Sequence, residues 1–208
     1  MSSIATPSTT GFHADALAAF LDGRDEPSWF GARRRAAFER FTRTPLPTLR
    51  DEEWRRTDLR GLKLDQFGPV LGGPAPLAEV VSPVWSNLAE THGAGFGLHH
   101  RDGRPVAHSE AAELPAGVVF TDLATALKRH PELVQRHLGQ AIATEADAFA
   151  SLQSAFLSGG ALLYVPKGIK LATPLFHLIE LGAEGRTDFH HTLVILEEGA
   201  EATFIQET

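Results

Sequence analysis

The run Gly159-Gly160-Ala161-Leu162-Leu163-Tyr164-Val165-Pro166-Lys167-Gly168 marks a change in the grammar of the chain. An apolar, β-favouring stretch is closed by a Pro-Lys-Gly turn. The same sentence is then repeated: Leu175 to Leu181 ends at Gly182, and His191 to Leu196 ends at Glu197-Glu198-Gly199-Ala200. Ala202 to Ile205 opens another strand. Short apolar runs separated by turn residues, with no helical pattern between them, predict successive strands. Such a series fits a sandwich, a barrel or a coiled solenoid, and the stretch is too short for its period to select one.

Upstream the pattern is mostly helical. Phe12, Ala16, Leu17, Phe20 and Leu21 fall at helical spacing, and Asp22-Gly23 closes that helix. Pro27 suits the first turn of a second helix, whose apolar side is Trp29, Ala37, Phe38 and Phe41. Arg33, Arg34 and Arg35 fall mostly off that side and read as a solvated face. Asp51-Glu52-Glu53 favours a helix start, and Trp54 is large enough to anchor one segment on another. Leu64 to Pro83, with four prolines and three glycines, reads as a connection that touches the core through Leu71, Leu77, Val80 and Val81.

Asp102-Gly103 predicts a hairpin over residues 95 to 108. Thr121-Asp122 caps a helix that Pro131 splits in two, and Thr144 with Asp147 forms a capping box for another, which Gly159-Gly160 stops. The domain division that follows is 1–158, mostly helical with a small hairpin, and 159–208, the start of a β core.

The 208 residues are 43% hydrophobic and 22% charged, a globular composition. Nineteen basic residues against 26 acidic ones give a net charge of −7. Phosphate binding needs the opposite balance, so no nucleic-acid partner is expected. No apolar run approaches the ~20 residues that span a bilayer, and the start lacks a basic, apolar signal. A cytoplasmic, membrane-free protein is the expectation. The absence of cysteine removes disulfides, thiolate nucleophiles and Cys-ligated metals from these residues.

Ten histidines raise the question of a metal. His99 and His100 are strand neighbours that point to opposite faces, so at most one of them joins His108. Asp188 and His190 can share a face, but His191 cannot be on it as well. His130 and His137 are separated by Pro131. There is no His-Glu-x-x-His pattern, no Gly-x-Ser-x-Gly elbow and no phosphate loop. Gly93-Ala94-Gly95-Phe96-Gly97 is not followed by a helix, so it is no dinucleotide fingerprint. The acidic groups Asp51-Glu52-Glu53, Glu197-Glu198 and Glu110 with Glu113 do not by their spacing show two carboxylates converging on one cleft; Glu197-Glu198 reads as a solvated turn, as does Lys167. No residue is assigned a catalytic, cofactor-binding or metal role, and the expectation is a protein that is not an enzyme. The competing reading is a histidine-metal enzyme on a β-solenoid core using His190, His191 and Asp188.

Several stretches resemble one family. Asp51 to Leu59 (Asp-Glu-Glu-Trp-Arg-Arg-Thr-Asp-Leu) resembles an N-terminal segment of SufB/SufD proteins. The resemblance continues through Leu114 to Val118, Phe149 to Phe156, Gly159 to Gly168 with Pro174-Leu175, and His191 to Ala200, in family order. Trp54 and the lack of cysteine make the SufD branch the better match. The resemblance implies a non-catalytic scaffold subunit of the SUF iron–sulfur cluster assembly complex, partnered by SufB and SufC. It implies a helical N-terminal region followed by the first coils of a right-handed parallel β-helix from residue 159, an α+β fold. Trp54, Phe156 and Tyr164 would then pack, and Gly168 and Gly199 would turn the coil corners. Family members run to roughly twice this length, so the chain reads as a front half. Partner contacts are expected mostly beyond residue 208. No cofactor is expected in this segment, the cluster being the product of the whole complex.

Overall fold

Helix α1 (Ala14–Leu21) forms where the apolar spacing places it, with Ala16, Leu17 and Phe20 buried along one side. Its first turn is capped by a side chain that was not foreseen: His13 accepts from the Ala16 N–H. In this computed structural model the described residues are 10–72, 83–92, 96–109 and 114–208. Leu77, Val80, Val81, Glu110 and Glu113, and nearly all of the Met1–Thr10 tail, lie outside them.

Pro27 precedes α2 (Ser28–Arg43) as its cap residue, its fixed φ suiting the helix entry. Trp54 ends a 3₁₀ turn (Glu52–Trp54) and packs on Phe149, with ring centroids 5.2 Å apart. A second 3₁₀ turn (Leu64–Gln66) leads into β1 (Gly68–Pro69), and α3 (Pro83–His92) follows. The expected hairpin is present as β2 (Phe96–Arg101) and β3 (Arg104–Ser109). Asp102 (φ 52°) and Gly103 (φ 72°) both take left-handed conformations, as a two-residue hairpin turn with matching twist requires.

Strand β4 (Val119–Asp122) runs into α4 (Leu123–Arg129), capped by Asp122, whose carboxylate accepts from the Thr125 N–H at 2.9 Å. Pro131 opens α5 (Pro131–His137), so the split occurs where the ring forbids a continuous helix. Helix α6 (Ala148–Ala155) is capped by Asp147 alone; Thr144 instead uses its carbonyl to accept from the Ser151 hydroxyl. Gly159 and Gly160 do not stop α6. They begin β5 (Gly159–Val165), which is followed by β6 (Leu175–Glu180), β7 (Arg186–Thr187), β8 (His190–Leu196) and β9 (Phe204–Glu207).

The expected right-handed parallel β-helix is not found. Parallel pairs do exist: β5 with β8, β6 with β9, β2 with β6 and β1 with β7. The two larger sheets are nonetheless mixed, ordered β3-β2-β6-β9 and β4-β5-β8. Strand β4 runs antiparallel on the edge of β5, and β3 antiparallel on β2, so helix-linked and hairpin segments occupy the edges where a preceding coil would stack. Among the described residues there is neither a solenoid nor a closed sheet. Residues from both sides of position 158 share these sheets.

Burial follows three apolar clusters. Phe30 of α2 packs with Leu123, Leu127, Val134 and Leu162. Phe20 and Leu17 of α1 pack with Ala37, Leu152 and Phe156. Leu163, Val165 and Leu175 join β5 to β6. Full burial of each such Leu or Phe is worth ~1.5–3 kcal/mol. Tyr164 is only half-buried and its hydroxyl donates to Glu197. Gly168 and Gly199 sit side by side at left-handed turns. Among the described residues no helix is long and apolar enough to cross a membrane.

Candidate functional site

Alternation along β2 separates its two histidines. His99 and His100 are both buried, on opposite faces of the sheet. His99 Nε2 meets Glu180 Oε2 at 2.5 Å. On the other face, β6 lies parallel with Leu98 opposite His177, which makes His100 and His177 diagonal neighbours. His177 Nε2 lies 3.0 Å from His100 Nδ1.

A third imidazole comes from the other sheet. His190 begins β8 opposite Gly159, and its ring centroid lies 5.0 Å from that of His100 and 5.7 Å from that of His177. The donor atoms of the three rings all fall within 4.8 Å of one another. Among the described residues this is the one group of three such side chains close enough to share an ion.

Asp188 brings the two sheets together. Its Oδ2 accepts from the Gly103 N–H at the hairpin turn (2.8 Å) and lies 2.9 Å from His190 Nδ1. Its Oδ1 accepts from the Ser158 hydroxyl, which in turn accepts from the Phe189 N–H at 2.8 Å. Asp102 completes the dock by accepting from the Gly182 and Ala183 N–H groups at 2.8 and 3.0 Å. Burial by itself would push Asp188 up. The His190 contact and charge, the Ser158 hydroxyl and the Gly103 N–H together hold it below the usual carboxylate range.

The histidine side of the cluster is electrostatically different. Burial first, and the neighbouring His190 second, push His177 down to about 4, against the opposing pull of Gln206 and Asp188. His177 is therefore neutral near pH 7. Among the described residues, His177 Nδ1 and both ring nitrogens of His190 are buried with no hydrogen-bond partner. A buried polar atom left unpaired costs ~1–3 kcal/mol, so this cluster is an exception to the satisfied interior around it.

The ligand set of the competing reading, His190, His191 and Asp188, does not converge as a whole. His190 and Asp188 do meet, but His191 turns to the opposite side and lines a cavity with Phe30, Arg33 and Gln153, where burial and then Arg33 push it down. His99 is taken by Glu180, and the His108 side chain lies outside the described residues. His130 and His137 bracket α5, away from the cluster. His177 carried no sequence signal, because only strand pairing brings it to His100. Lys167 pairs with Glu198 at 2.6 Å and Glu52 with Arg55 at 2.7 Å, both as exposed pairs on turns. Replacing Asp188 by alanine is expected to cost about 1–3 kcal/mol, since it orphans the Gly103 N–H, while the Ser158 hydroxyl keeps the Phe189 carbonyl as acceptor. Urea unfolding checks this, and an unchanged midpoint would show that the hairpin docks without Asp188.

The fold and site define a protein of helices and mixed sheets whose hairpin is locked over a buried histidine cluster. Residues 103–176 match the SufBD protein N-terminal region. The chain is 28% identical over 196 residues to the iron–sulfur cluster assembly protein SufB of Bacillus subtilis, covering 88% of this chain and 41% of that protein. It is 28% identical over 227 residues to an iron–sulfur cluster assembly SufBD family protein of Staphylococcus aureus, covering 94% of this chain and 46% of the relative. A SufBD family protein of Synechocystis is 37% identical over 90 residues, 43% of this chain and 19% of the relative. These similarities are to SufB and SufBD family proteins and do not distinguish the expected SufD branch from SufB. The chain spans less than half the length of the Bacillus and Staphylococcus relatives.

Proposed function

We propose that this chain serves iron–sulfur cluster assembly as a non-catalytic scaffold segment, in the cytoplasm, in a complex with SufB and SufC. The observation that carries the reading is the match of residues 103–176, from the hairpin turn to β6, to the SufBD N-terminal region. The names of the Bacillus, Staphylococcus and Synechocystis relatives support the assembly role. Strands β8 and β9 support a scaffold, because each stands at the edge of its sheet among the described strands, with Val194 and Leu196 of β8 exposed. An open edge is a surface to which a further strand adds through backbone hydrogen bonds. The partner contacts lie mostly outside these 208 residues, and the SufD role is the finer part of the proposal.

Co-purification tests it. The 208-residue chain, and in parallel the complete reading frame containing it, are each expressed with the SufB and SufC counterparts. Retention of both partners by the complete reading frame is the expected result, with weaker retention by the 208-residue chain. Retention of neither partner by either form overturns the proposal.

A further inference from the structure

We propose that His100, His177 and His190 form a binding site for one first-row transition-metal dication, of the Zn²⁺ or Fe²⁺ class. The site is independent of the assembly role and lies outside the matched segment, whose residues 103–176 run between His100 and His177.

Three features of the geometry carry the inference. The first is donor spacing. A tetrahedral ion with metal–nitrogen bonds near 2.0–2.1 Å holds two ligands about 3.3 Å apart. His177 Nε2 and His100 Nδ1 are already 3.0 Å apart, and all three donors lie within 4.8 Å of one another. Small shifts of the His100 and His177 rings toward His190, which Asp188 holds, close the remaining gap.

The second is the orientation of His190. Its Nδ1 lies 2.9 Å from Asp188 Oδ2 as an ion-pair contact outside hydrogen-bond geometry, and its Nε2 is buried with no hydrogen-bond partner among the described residues. A carboxylate on one ring nitrogen fixes the tautomer and raises the basicity of the other, the arrangement that metal-bound histidines use. Asp188 is itself fixed by Gly103 and Ser158, so the ring is positioned before any ion arrives.

The third is space. Gly159 stands opposite His190, and a Cβ at that position would lie 2.8 Å from the Gly103 carbonyl oxygen and 3.2 Å from His190 Nε2. Glycine keeps that approach clear. The His100–His177 contact leaves His190 Nε2 unused among the described residues, whereas one ion engages a donor from every ring. Imidazole suits Zn²⁺, Fe²⁺ and Co²⁺ alike, so the ion held is set by supply. Three protein ligands leave one position for water or another donor. The ion would join β2 and β6 of one sheet to β8 of the other.

The test is Co²⁺ and Zn²⁺ titration of the full chain after chelator treatment. One equivalent of Co²⁺ is expected to bind, with the visible absorption of a low-coordinate nitrogen site. His177→Gln and His190→Gln are each expected to weaken binding by about 100-fold or more. His137→Gln, away from the cluster, is expected to leave it unchanged. No binding, or binding undiminished in both cluster variants, overturns the site. Should the variants fail to fold, X-ray absorption of the Zn²⁺-loaded wild-type chain decides: three imidazole nitrogens at about 2.0–2.1 Å uphold it, and any shell with fewer than three overturns it.

Discussion

Replacing Arg34 by alanine is expected to destabilise the chain by about 3 kcal/mol or more, because it removes one partner of a buried ion pair. Arg34 leaves α2 four residues after Phe30 and is 1% exposed. Its guanidinium makes two 2.8 Å bonds to Glu26, one through Nε and one through Nη2. Its two terminal nitrogens also donate to the Ala155 and Leu157 carbonyls, at 3.1 and 2.7 Å. The Ala155 carbonyl closes α6 and the Leu157 carbonyl lies just beyond it, at a helix end where the last C=O groups lack helical partners and a cation is favoured. Phe30 presents its ring to the same group at 4.5 Å. One side chain therefore ties α2, the Glu26 loop and the end of α6.

Alanine would leave Glu26 with Arg24 alone, at 3.4 Å, and that remaining pair limits the loss. Arg24 is itself lowered to about 10 by burial and then by the nearby Arg34, so removing Arg34 relieves one repulsion while it breaks the larger attraction. Lysine cannot restore the fork geometry that spans both a carboxylate and two carbonyls. Arg34→Met combined with Glu26→Gln should recover part of the loss, because it neutralises the stranded charge. Urea unfolding of the three variants measures this. A single-variant loss under ~1 kcal/mol would mean that the pair behaves as a surface one. The contact reaches the histidine cluster, since Arg24 also donates to the Ser158 carbonyl, one side of the residue whose hydroxyl holds Asp188.

Arg34 also shows where sequence reading stops. Three consecutive arginines look like a solvated face, and Arg35 is exposed. Yet position 34 falls on the stripe of Phe30, Ala37, Phe38 and Phe41 at helical spacing, and spacing outweighs charge once Glu26 is available as a partner. Strands β5, β6, β8 and β9 and the hairpin were legible, because alternation and Asp102-Gly103 are local signals. Their assembly was not. Nothing local says that β4 lies antiparallel on β5, so the expected coil gave way to mixed sheets. The histidine cluster was hidden for the same reason. His100 and His177 are 77 positions apart in sequence and meet only through the β2–β6 register. Asp188 and His190 were visible as a pair because two residues along an extended chain return to one side.

Gly160→Ala is expected to cost about 3 kcal/mol or more, the sum of overpacking and backbone strain at one position. Gly160 pairs with His191 in the parallel β5–β8 ladder and has φ 155°. A Cβ there would overlap the His191 carbonyl oxygen, with the carbonyl carbon at 2.8 Å and the nitrogen at 3.0 Å. All three are backbone atoms, so no side-chain rotation relieves the clash and the strands must separate. Separation acts next door on His190, whose position depends on the first rungs of β8. The variant should therefore lose stability and metal affinity together, whereas Arg34→Ala should lose mainly stability. Urea unfolding and Co²⁺ titration on the same preparations separate the two effects. A stable Gly160→Ala chain would show that β5 and β8 do not approach as closely as their register requires.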